Sequence, residues 1–144
     1  MIQIVRYQGQ QVPDQVLSLI GEQVESKSLE NIKHIIDKIS INHAIDLCVL
    51  WLDDEAIAFS YGNMSVGLES GGSYFWLNEF YVKKNYRHKG YGRMLFMSLK
   101  EMLKENGIHY LALVTGKMNK DAQSFFNHVG LTQRDYLWYD VTIK

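Results

Sequence analysis

The sequence predicts a domain of the mixed α/β class, in which helices and strands alternate around one sheet. The chain has 144 residues, of which 47% are apolar, and a single proline. It is therefore long enough to bury a core and too apolar to remain disordered. Segments with the two-residue period of strands alternate with segments of helical period. Because no repeat, low-complexity tract or interdomain linker interrupts this order, we expect residues 1–144 to form a single domain.

The strands are predicted from runs of β-branched and aromatic residues that turn residues separate. Asp53 and Asp54 mark a hairpin, and the next turn is Ser-Gly-Gly-Ser at 70–73. The predicted strands cover 2–7, 44–52, 55–66, 74–82 and 109–115, with one or two more within 131–143.

The helices are predicted from apolar residues at helical spacing and from residues that begin or end a helix. Pro13 suits a first turn, Ser28 can cap the second helix, Asn106-Gly107 ends the third, and Gly130 suits the position after the last. The predicted helices cover 12–24, 29–39, 91–105 and 120–129.

Several classes of protein are excluded by composition. The one cysteine, Cys48, cannot form an intramolecular disulfide, and its apolar neighbours predict a buried side chain. The five histidines lack metal-ligand spacing, so we expect no metal. No apolar stretch approaches the ~20 residues of a membrane span, and the first residues lack a signal-peptide core. We therefore expect a cytoplasmic protein without a membrane partner.

The most informative segment is the turn that joins the 74–82 strand to the 91–105 helix. It holds two glycines, and residues 80–100 contain six Lys or Arg and no acid, although the whole chain has a net charge of −1. Glycine admits close approach to the backbone, and the first N–H groups of a helix attract anions, so this turn suits a phosphate-bearing cofactor. The alternative is a solvated basic turn ahead of a surface helix.

Two common phosphate motifs do not fit this turn. A dinucleotide fingerprint requires glycine where Leu95 stands, and a P-loop requires Gly-Lys-Ser/Thr, which is absent. The pattern Arg87-x-x-Gly90-x-Gly92 instead resembles the pyrophosphate motif of the GNAT superfamily of N-acetyltransferases. Upstream, residues 77–82 resemble the fourth strand of that superfamily. Downstream, residues 119–131 resemble its Asn-x-x-Ala segment, so both motifs occur in the expected order.

The resemblance implies a GNAT-like fold, with a mixed, mostly antiparallel twisted sheet of six to seven strands splayed in the middle and about four helices on both faces. It also implies an acetyl-CoA cofactor. Residues 87–93 would hold the pyrophosphate, backbone groups of residues 80–82 would pair with the pantetheine arm, and Asn119 would hydrogen-bond the pantetheine region. Phe125 and Phe126 would lie near the thiol, or else pack in the core. The expected cofactor residues are Phe80, Tyr81, Val82, Arg87, His88, Lys89, Gly90, Tyr91, Gly92, Arg93, Asn119 and Phe126.

The implied reaction is acetyl transfer from the thioester to a primary amine of a small molecule, peptide or protein. An amine that is protonated at neutral pH requires a base, and Glu79 is the only carboxylate in the strand beside the expected thioester position. The alternative is that Glu79 is a rim carboxylate that attracts cations. Asn78, expected on the opposite face, could orient water or substrate.

The sequence departs from the superfamily at Phe126, where a tyrosine often acts as general acid. This departure leaves three alternatives. The thiolate leaves unaided, or another hydroxyl, that of Tyr136, Tyr139 or Tyr81, replaces the missing one. In the third alternative, catalysis is slow or lost. The last case corresponds to a non-catalytic acyl-CoA-binding module. Nucleic-acid binding is not expected, because the charge of the chain is nearly balanced. We expect a monomer or homodimer.

Acids dominate the central strands. Residues 39–82 contain no Lys or Arg, and if these strands border the acceptor entrance, their carboxylates would attract a cationic amine. The alternative is that the hairpin acids are turn residues with a local role. The six acids are Asp46, Asp53, Asp54, Glu55, Glu69 and Glu79.

Overall fold

The computed structural model describes residues 1–24, 28–38, 41–69 and 71–144, and these contain one five-stranded sheet. The strands are β1 (Ile2–Arg6), β2 (Ile45–Leu52), β3 (Glu55–Gly67), β4 (Gly72–Val82) and β5 (Leu111–Ala112). They lie side by side in chain order, with β1 to β4 antiparallel and β5 parallel to β4. The predicted mixed, mostly antiparallel sheet is confirmed.

The described residues form four α-helices, as predicted. They are α1 (Asp14–Gln23), α2 (Leu29–Asp37), α3 (Tyr91–Glu105) and α4 (Lys120–His128). The predicted cap of α2 is confirmed, since Ser28 accepts a hydrogen bond from the Asn31 amide at 3.2 Å. Pro13 is the N-cap of α1 and not a residue of its first turn. Ile39, predicted at the end of α2, and Ser70, predicted in the β3–β4 turn, lie outside the described residues.

The predicted number of six to seven strands is wrong. Residues 131–144, all of which the structure describes, contain no strand, and β5 is only two residues long. The aromatic and β-branched composition of both segments favours a strand, but a strand also requires a neighbour that completes its hydrogen bonds. Pairing to a neighbour is a property of the tertiary structure, and the local pattern does not contain it.

The sheet is covered on both faces within residues 1–114. Alternate residues of β2 divide between two apolar clusters: Leu47 and Val49 pack with α1 and α2, whereas Cys48 and Leu50 pack with Leu95 of α3. This two-residue alternation places α1 and α2 on one face and α3 on the other. Cys48 is buried, as predicted.

The chain divides into two compact units, Met1–Val114 and Thr115–Lys144. The first contains the sheet and α1 to α3, and the second contains α4. The single domain over residues 1–144 stays a prediction. None of the described helices is long and apolar enough to cross a bilayer.

Candidate functional site

A β-bulge divides β4 into two parts. Tyr61 of β3 lies opposite Glu79, but the next residue, Gly62, lies opposite Leu77, so Asn78 is an inserted residue. Such an insertion bends the strand and increases its twist. On the other side of β4, the parallel ladder with β5 covers Phe75 and Trp76. This ladder therefore ends before the bulge, as expected for a sheet that splays at β4.

Beyond the bulge, the backbone of β4 alternates between two directions. Lys83 donates its N–H to the Ile57 carbonyl of β3 at 2.8 Å. Because the hydrogen-bonding direction reverses at each residue of a strand, Tyr81 also faces β3, whereas Phe80 and Val82 direct their N–H and C=O groups away from it. The backbone groups of Tyr81 are thus used by β3, and its role toward a cofactor stays a prediction. The outward groups of Phe80 and Val82 are compatible with pairing to a ligand, and that pairing stays a prediction.

The turn after β4 is held against that outward edge. Arg87 donates its Nε–H to the Val82 carbonyl at 2.8 Å, and its guanidinium lies 5.4 Å from the centre of the Tyr81 ring. Arg87, expected at the pyrophosphate, and the Val82 backbone, expected at the pantetheine arm, thus bind each other. The bond to the Val82 carbonyl uses Nε, so it does not involve the two terminal nitrogens of the guanidinium.

Gly90 is the N-cap of α3 and adopts a left-handed conformation, with φ of 90°. A Cβ atom added there would meet no protein atom within 4 Å, so the space above this residue is open. His88, two residues earlier, is also left-handed, with φ of 61°. Successive turns of this kind aim backbone N–H groups into one concavity, which is a favourable arrangement for an anion.

Helix α3 adds its own N–H groups to this concavity. The first-turn amides of a helix have no intrahelical acceptor, and Gly90 has no side chain that could cap them. Tyr91, Gly92 and Arg93 therefore present amides at the positive end of a 15-residue helix. Arg93 and Lys89 are exposed beside them, the latter 5.8 Å from the centre of the Tyr86 ring. The predicted turn residues are thus brought together at one helix end.

Glu79, the candidate base, is half-buried on the face of β4 that is covered by α1 and α2. Gln23 at the end of α1 donates to its Oε2 at 3.1 Å. Tyr61 lies directly opposite, and burial raises the pKa of this tyrosine, so its hydroxyl retains its proton at neutral pH. A carboxylate beside a fixed amide and a neutral hydroxyl has the composition of a proton-transfer site.

Contrary to the expectation of a regular strand, Asn78 does not simply alternate to the face opposite Glu79. It is the inserted residue of the bulge, and its Nδ2 donates to Oδ1 of Asn63 at 3.0 Å. Asn63 is two residues from Tyr61 along β3 and therefore shares its face. The prediction assumed a regular strand, and the bulge removes the two-residue alternation at this position.

Sequence reasoning missed two polar residues at the end of α1, Glu22 and Gln23. Glu22 accepts a hydrogen bond from the Tyr81 hydroxyl at 3.2 Å and lies 3.6 Å from the Lys83 ammonium. Burial, followed by the Glu22 carboxylate, raises the pKa of Tyr81. No sequence signal connects α1 with β4, because the two segments are more than 50 residues apart and meet only in the folded chain.

The six central acids have different surroundings, and some of them have local partners. Asp46 is buried and binds Arg6 through two hydrogen bonds of 3.0 and 2.8 Å. Glu55 accepts from the Tyr86 hydroxyl at 2.6 Å and from Lys83 at 3.2 Å. These two bonds lower the pKa of Glu55. Asp53 pairs with the N-terminal ammonium.

The second unit holds the remaining predicted residues. Asn119 caps α4, its Oδ1 accepting from the Ala122 amide at 3.1 Å, which leaves the Nδ2 donors outside the cap. Phe125 and Phe126 are half-buried and pack edge to face, with ring centres 5.3 Å apart. Tyr136 is exposed. The proposed roles of Asn119, Phe126 and Tyr136 towards a cofactor stay predictions.

Comparison with known families agrees with this geometry. The model of the acetyltransferase (GNAT) family matches residues 15–131, and the chain therefore belongs to that family. A comparison with curated protein sequences gives no match.

Solved structures share the fold at low sequence identity. The aminoglycoside acetyltransferase meta-AAC0020 from an uncultured soil metagenomic sample has a TM-score of 0.87 at 16% identity, covering 99% of this chain and 97% of that one. Aminoglycoside N-acetyltransferase AAC(6')-Iy, solved with CoA, has a TM-score of 0.88 at 13% identity, covering 99% and 95%. Ribosomal-protein-alanine N-acetyltransferase from Brucella melitensis biovar Abortus 2308 has a TM-score of 0.79 at 14% identity, covering 99% and 100%.

Proposed function

We propose that this protein transfers an acetyl group from acetyl-CoA to a primary amine of a small molecule, a peptide or a protein. The observation that carries the proposal is the continuity of the outward edge of β4 with the turn at Gly90. Phe80 and Val82 direct backbone groups away from β3. Arg87 binds the Val82 carbonyl, and α3 begins four residues later, at Tyr91. One extended ligand with a phosphate at one end suits such a path.

The turn suits a pyrophosphate by charge and by space. Gly90 leaves open volume where any other residue would carry a Cβ, and the first amides of α3 are directed toward that volume. Arg87, Lys89 and Arg93 supply positive charge. When the cofactor binds, the terminal nitrogens of Arg87 can engage phosphate oxygens while its Nε retains the Val82 carbonyl.

The edge of β4 suits the pantetheine arm. This arm contains amide groups, which can pair with the Val82 N–H and the Phe80 carbonyl as a neighbouring strand would. The pairing would orient the arm along β4 toward Glu79. Bound in this way, acetyl-CoA supplies the activated acetyl group.

Glu79 then accepts the proton of the amine at its carboxylate. Its hydrogen bond from Gln23 holds Oε2 in place and leaves Oε1 for the amine, directly or through one water. Asn78, fixed by Asn63, can orient that water. The hydroxyls of Tyr61, Tyr81, Tyr136 and Tyr139 are candidate proton donors in place of Phe126.

A second candidate function is that of a non-catalytic acyl-CoA-binding module. Phe126 favours it, because phenylalanine cannot donate a proton. Both candidates require the same cofactor site, so binding alone does not distinguish them.

The test is to measure cofactor binding and turnover separately. Calorimetry with CoA examines the cofactor site, and CoA release from acetyl-CoA in the presence of amines examines catalysis. The amine panel should contain an aminoglycoside and a peptide with an N-terminal alanine, the acceptor classes that structural neighbours are named for, together with a polyamine and free amino acids. Binding with turnover supports the transferase, binding without turnover for any amine supports the module, and absence of binding rejects both.

The panel also tests whether the acceptor is cationic. Of the six central acids only Glu79 lies at the proposed transfer point. Gln23 of α1 binds Glu79, and the neighbouring Glu22 binds the Tyr81 hydroxyl. If Glu79 and Glu22 select cations, polyamine turnover should exceed amino-acid turnover at low ionic strength and decline with salt. A preference for neutral or acidic acceptors would contradict this selectivity.

A further inference from the structure

The ammonium group of Lys83 lies between two carboxylates from different parts of the fold. It is 3.2 Å from Glu55 at the start of β3 and 3.6 Å from Glu22 near the end of α1. Burial by itself would lower the pKa of Lys83, but the hydrogen bond to Glu55 and the charge of Glu22 raise it above its usual value. Lys83 therefore keeps its charge at neutral pH and joins α1 to β3 immediately after the end of β4.

Each of the two carboxylates also accepts a hydrogen bond from a tyrosine hydroxyl. Tyr81 donates to Glu22 at 3.2 Å, and Tyr86 donates to Glu55 at 2.6 Å. Because hydrogen bonds in series polarise one another, a phenol that donates to an anion carries more negative charge on its ring. Such a ring attracts a cation above its face more strongly. We call Glu22 with Tyr81 the first arm, and Glu55 with Tyr86 the second arm.

The two tyrosine rings carry cations of the turn on their faces. Arg87 lies 5.4 Å from the centre of the Tyr81 ring, and Lys89 lies 5.8 Å from the centre of the Tyr86 ring. Both distances are within the ~6 Å over which a cation and an aromatic face attract each other. Lys83 is thus connected to each of the two cations by the same sequence of groups, namely a carboxylate, a tyrosine hydroxyl and the tyrosine ring.

We propose that Lys83 is a positioning residue, which holds Arg87 and Lys89 at the phosphate site through the two arms. A long cationic side chain loses rotamer freedom when it binds a phosphate, so a cation that is already oriented binds at a lower entropic cost. Without Lys83 the two carboxylates repel each other, and the arms lose their common anchor. This inference deepens the proposed function and rests on it, since it assigns both cations to a pyrophosphate.

The first experiment removes the common anchor. Lys83→Met keeps a long side chain without its charge and should raise the dissociation constant of CoA, measured by calorimetry, roughly fivefold or more. Lys84→Met is the matched control, because it removes the same charge from the next residue, which is exposed and belongs to neither arm. The control should change the dissociation constant about twofold or less, as expected for a loss of net charge alone. Lys83→Arg retains a cation between the carboxylates and should keep most of the affinity.

A second experiment tests whether the effect is transmitted through the arms. Tyr86→Phe keeps the ring but removes the hydrogen bond to Glu55, so it should raise the dissociation constant of CoA roughly threefold in the unmodified chain. The same substitution should have no effect in Lys89→Met, whereas it should keep its effect in Arg87→Met, which alters the other arm. For Tyr81→Phe the two backgrounds should exchange their roles. A substitution that only loosens the fold does not show such selective coupling.

Three results would overturn the proposal: unchanged CoA affinity in Lys83→Met, an equal loss in Lys84→Met, or equal effects of Tyr86→Phe in the Lys89→Met and Arg87→Met backgrounds. Each of them requires that the unmodified chain binds CoA, so each would leave the cofactor assignment intact. Absence of CoA binding by the unmodified chain would instead reject the proposed function together with this inference. The tyrosine variants keep their rings packed, and they decide the question even if Lys83→Met fails to fold.

Discussion

Gly62 lies in β3, opposite the part of β4 that precedes the bulge, and Gly90 lies in the turn that follows β4. The two glycines are required for opposite reasons. A Cβ at Gly62 would lie 2.5 Å from the buried Phe75 ring and from the Trp76 carbonyl oxygen. A Cβ at Gly90 would meet nothing within 4 Å, although φ of 90° favours glycine there. The first glycine allows dense packing, whereas the second preserves open space at a helix end.

The same contrast extends through β4. Before the bulge, Phe75 and Leu77 are buried, and Phe75 donates its amide to Tyr110 at 2.8 Å. After the bulge, Phe80 and Val82 direct backbone groups away from β3, and Glu79 approaches the end of α1. One inserted residue, Asn78, separates a part that stabilises the fold from a part suited to a ligand. Substitutions should therefore affect stability on one side and function on the other.

The largest expected effect on activity is on the ligand side. Glu79→Gln removes the proposed base while it keeps the size of the side chain, so turnover at neutral pH should decrease about 10²-fold or more. The pH optimum should shift upward, because free amine becomes plentiful there without assistance. Rates of CoA release against pH measure both effects.

Glu69→Gln, in the turn between β3 and β4, is the matched control and should leave the rate profile unchanged. If Glu79→Gln also leaves the pH–rate profile unchanged, Glu79 has a structural or steering role only.

On the packed side, the expected effect is on unfolding. Asp46 pairs with Gly62 across β2 and β3, and its carboxylate depends on Arg6, which also donates to the Ser98 carbonyl at 3.0 Å. Arg6→Met leaves a buried acid without its partner and should reduce the free energy of unfolding by about 3–5 kcal/mol. Urea titration measures the loss. The double variant with Asp46→Leu should recover much of it, and a loss as large as in the single variant would contradict this account.

A smaller effect on stability is expected at Gly62 itself. Gly62→Ala forces a methyl group against Phe75 and the Trp76 backbone, which should cost about 1–3 kcal/mol. Gly21→Ala in α1 is the control, because its Cβ would meet Leu29 and Ile32 at ordinary distances of 3.6 and 3.7 Å. That change should be neutral or stabilising, since alanine favours a helix. Equal destabilisation by both substitutions would show that packing at Gly62 is not special.

The smallest effect, and the most selective, is expected at Gly90. Gly90→Val fills the space proposed for phosphates and should weaken CoA binding about tenfold, which is roughly 1.4 kcal/mol. Gly107→Val, after the other end of α3, has a similar left-handed φ of 71° and equally open surroundings. Both variants should lose comparable stability, but only the first should lose affinity in calorimetry. Unchanged affinity in folded Gly90→Val would reject the cofactor assignment.

Local signals in the sequence predicted whatever depends on neighbouring residues. The bounds of α3 are those expected, because Gly90 precedes it and Asn106-Gly107 follows it. Ser28 caps α2 for the same local reason. The residues of the turn at 87–93 also lie together as expected, since a short segment between a strand and a helix has few arrangements.

Only the tertiary structure decided which distant residues meet. It placed Gln23 on Glu79, buried Asp46 against Arg6, turned the Tyr81 backbone toward β3, and left residues 131–144 without a strand. Composition records what a residue favours, but strand pairing and burial depend on the partner that folding brings to it. For that reason the sequence alone determined the family and the turn at the start of α3, while the surroundings of the base and the use of each strand edge were decided by the fold.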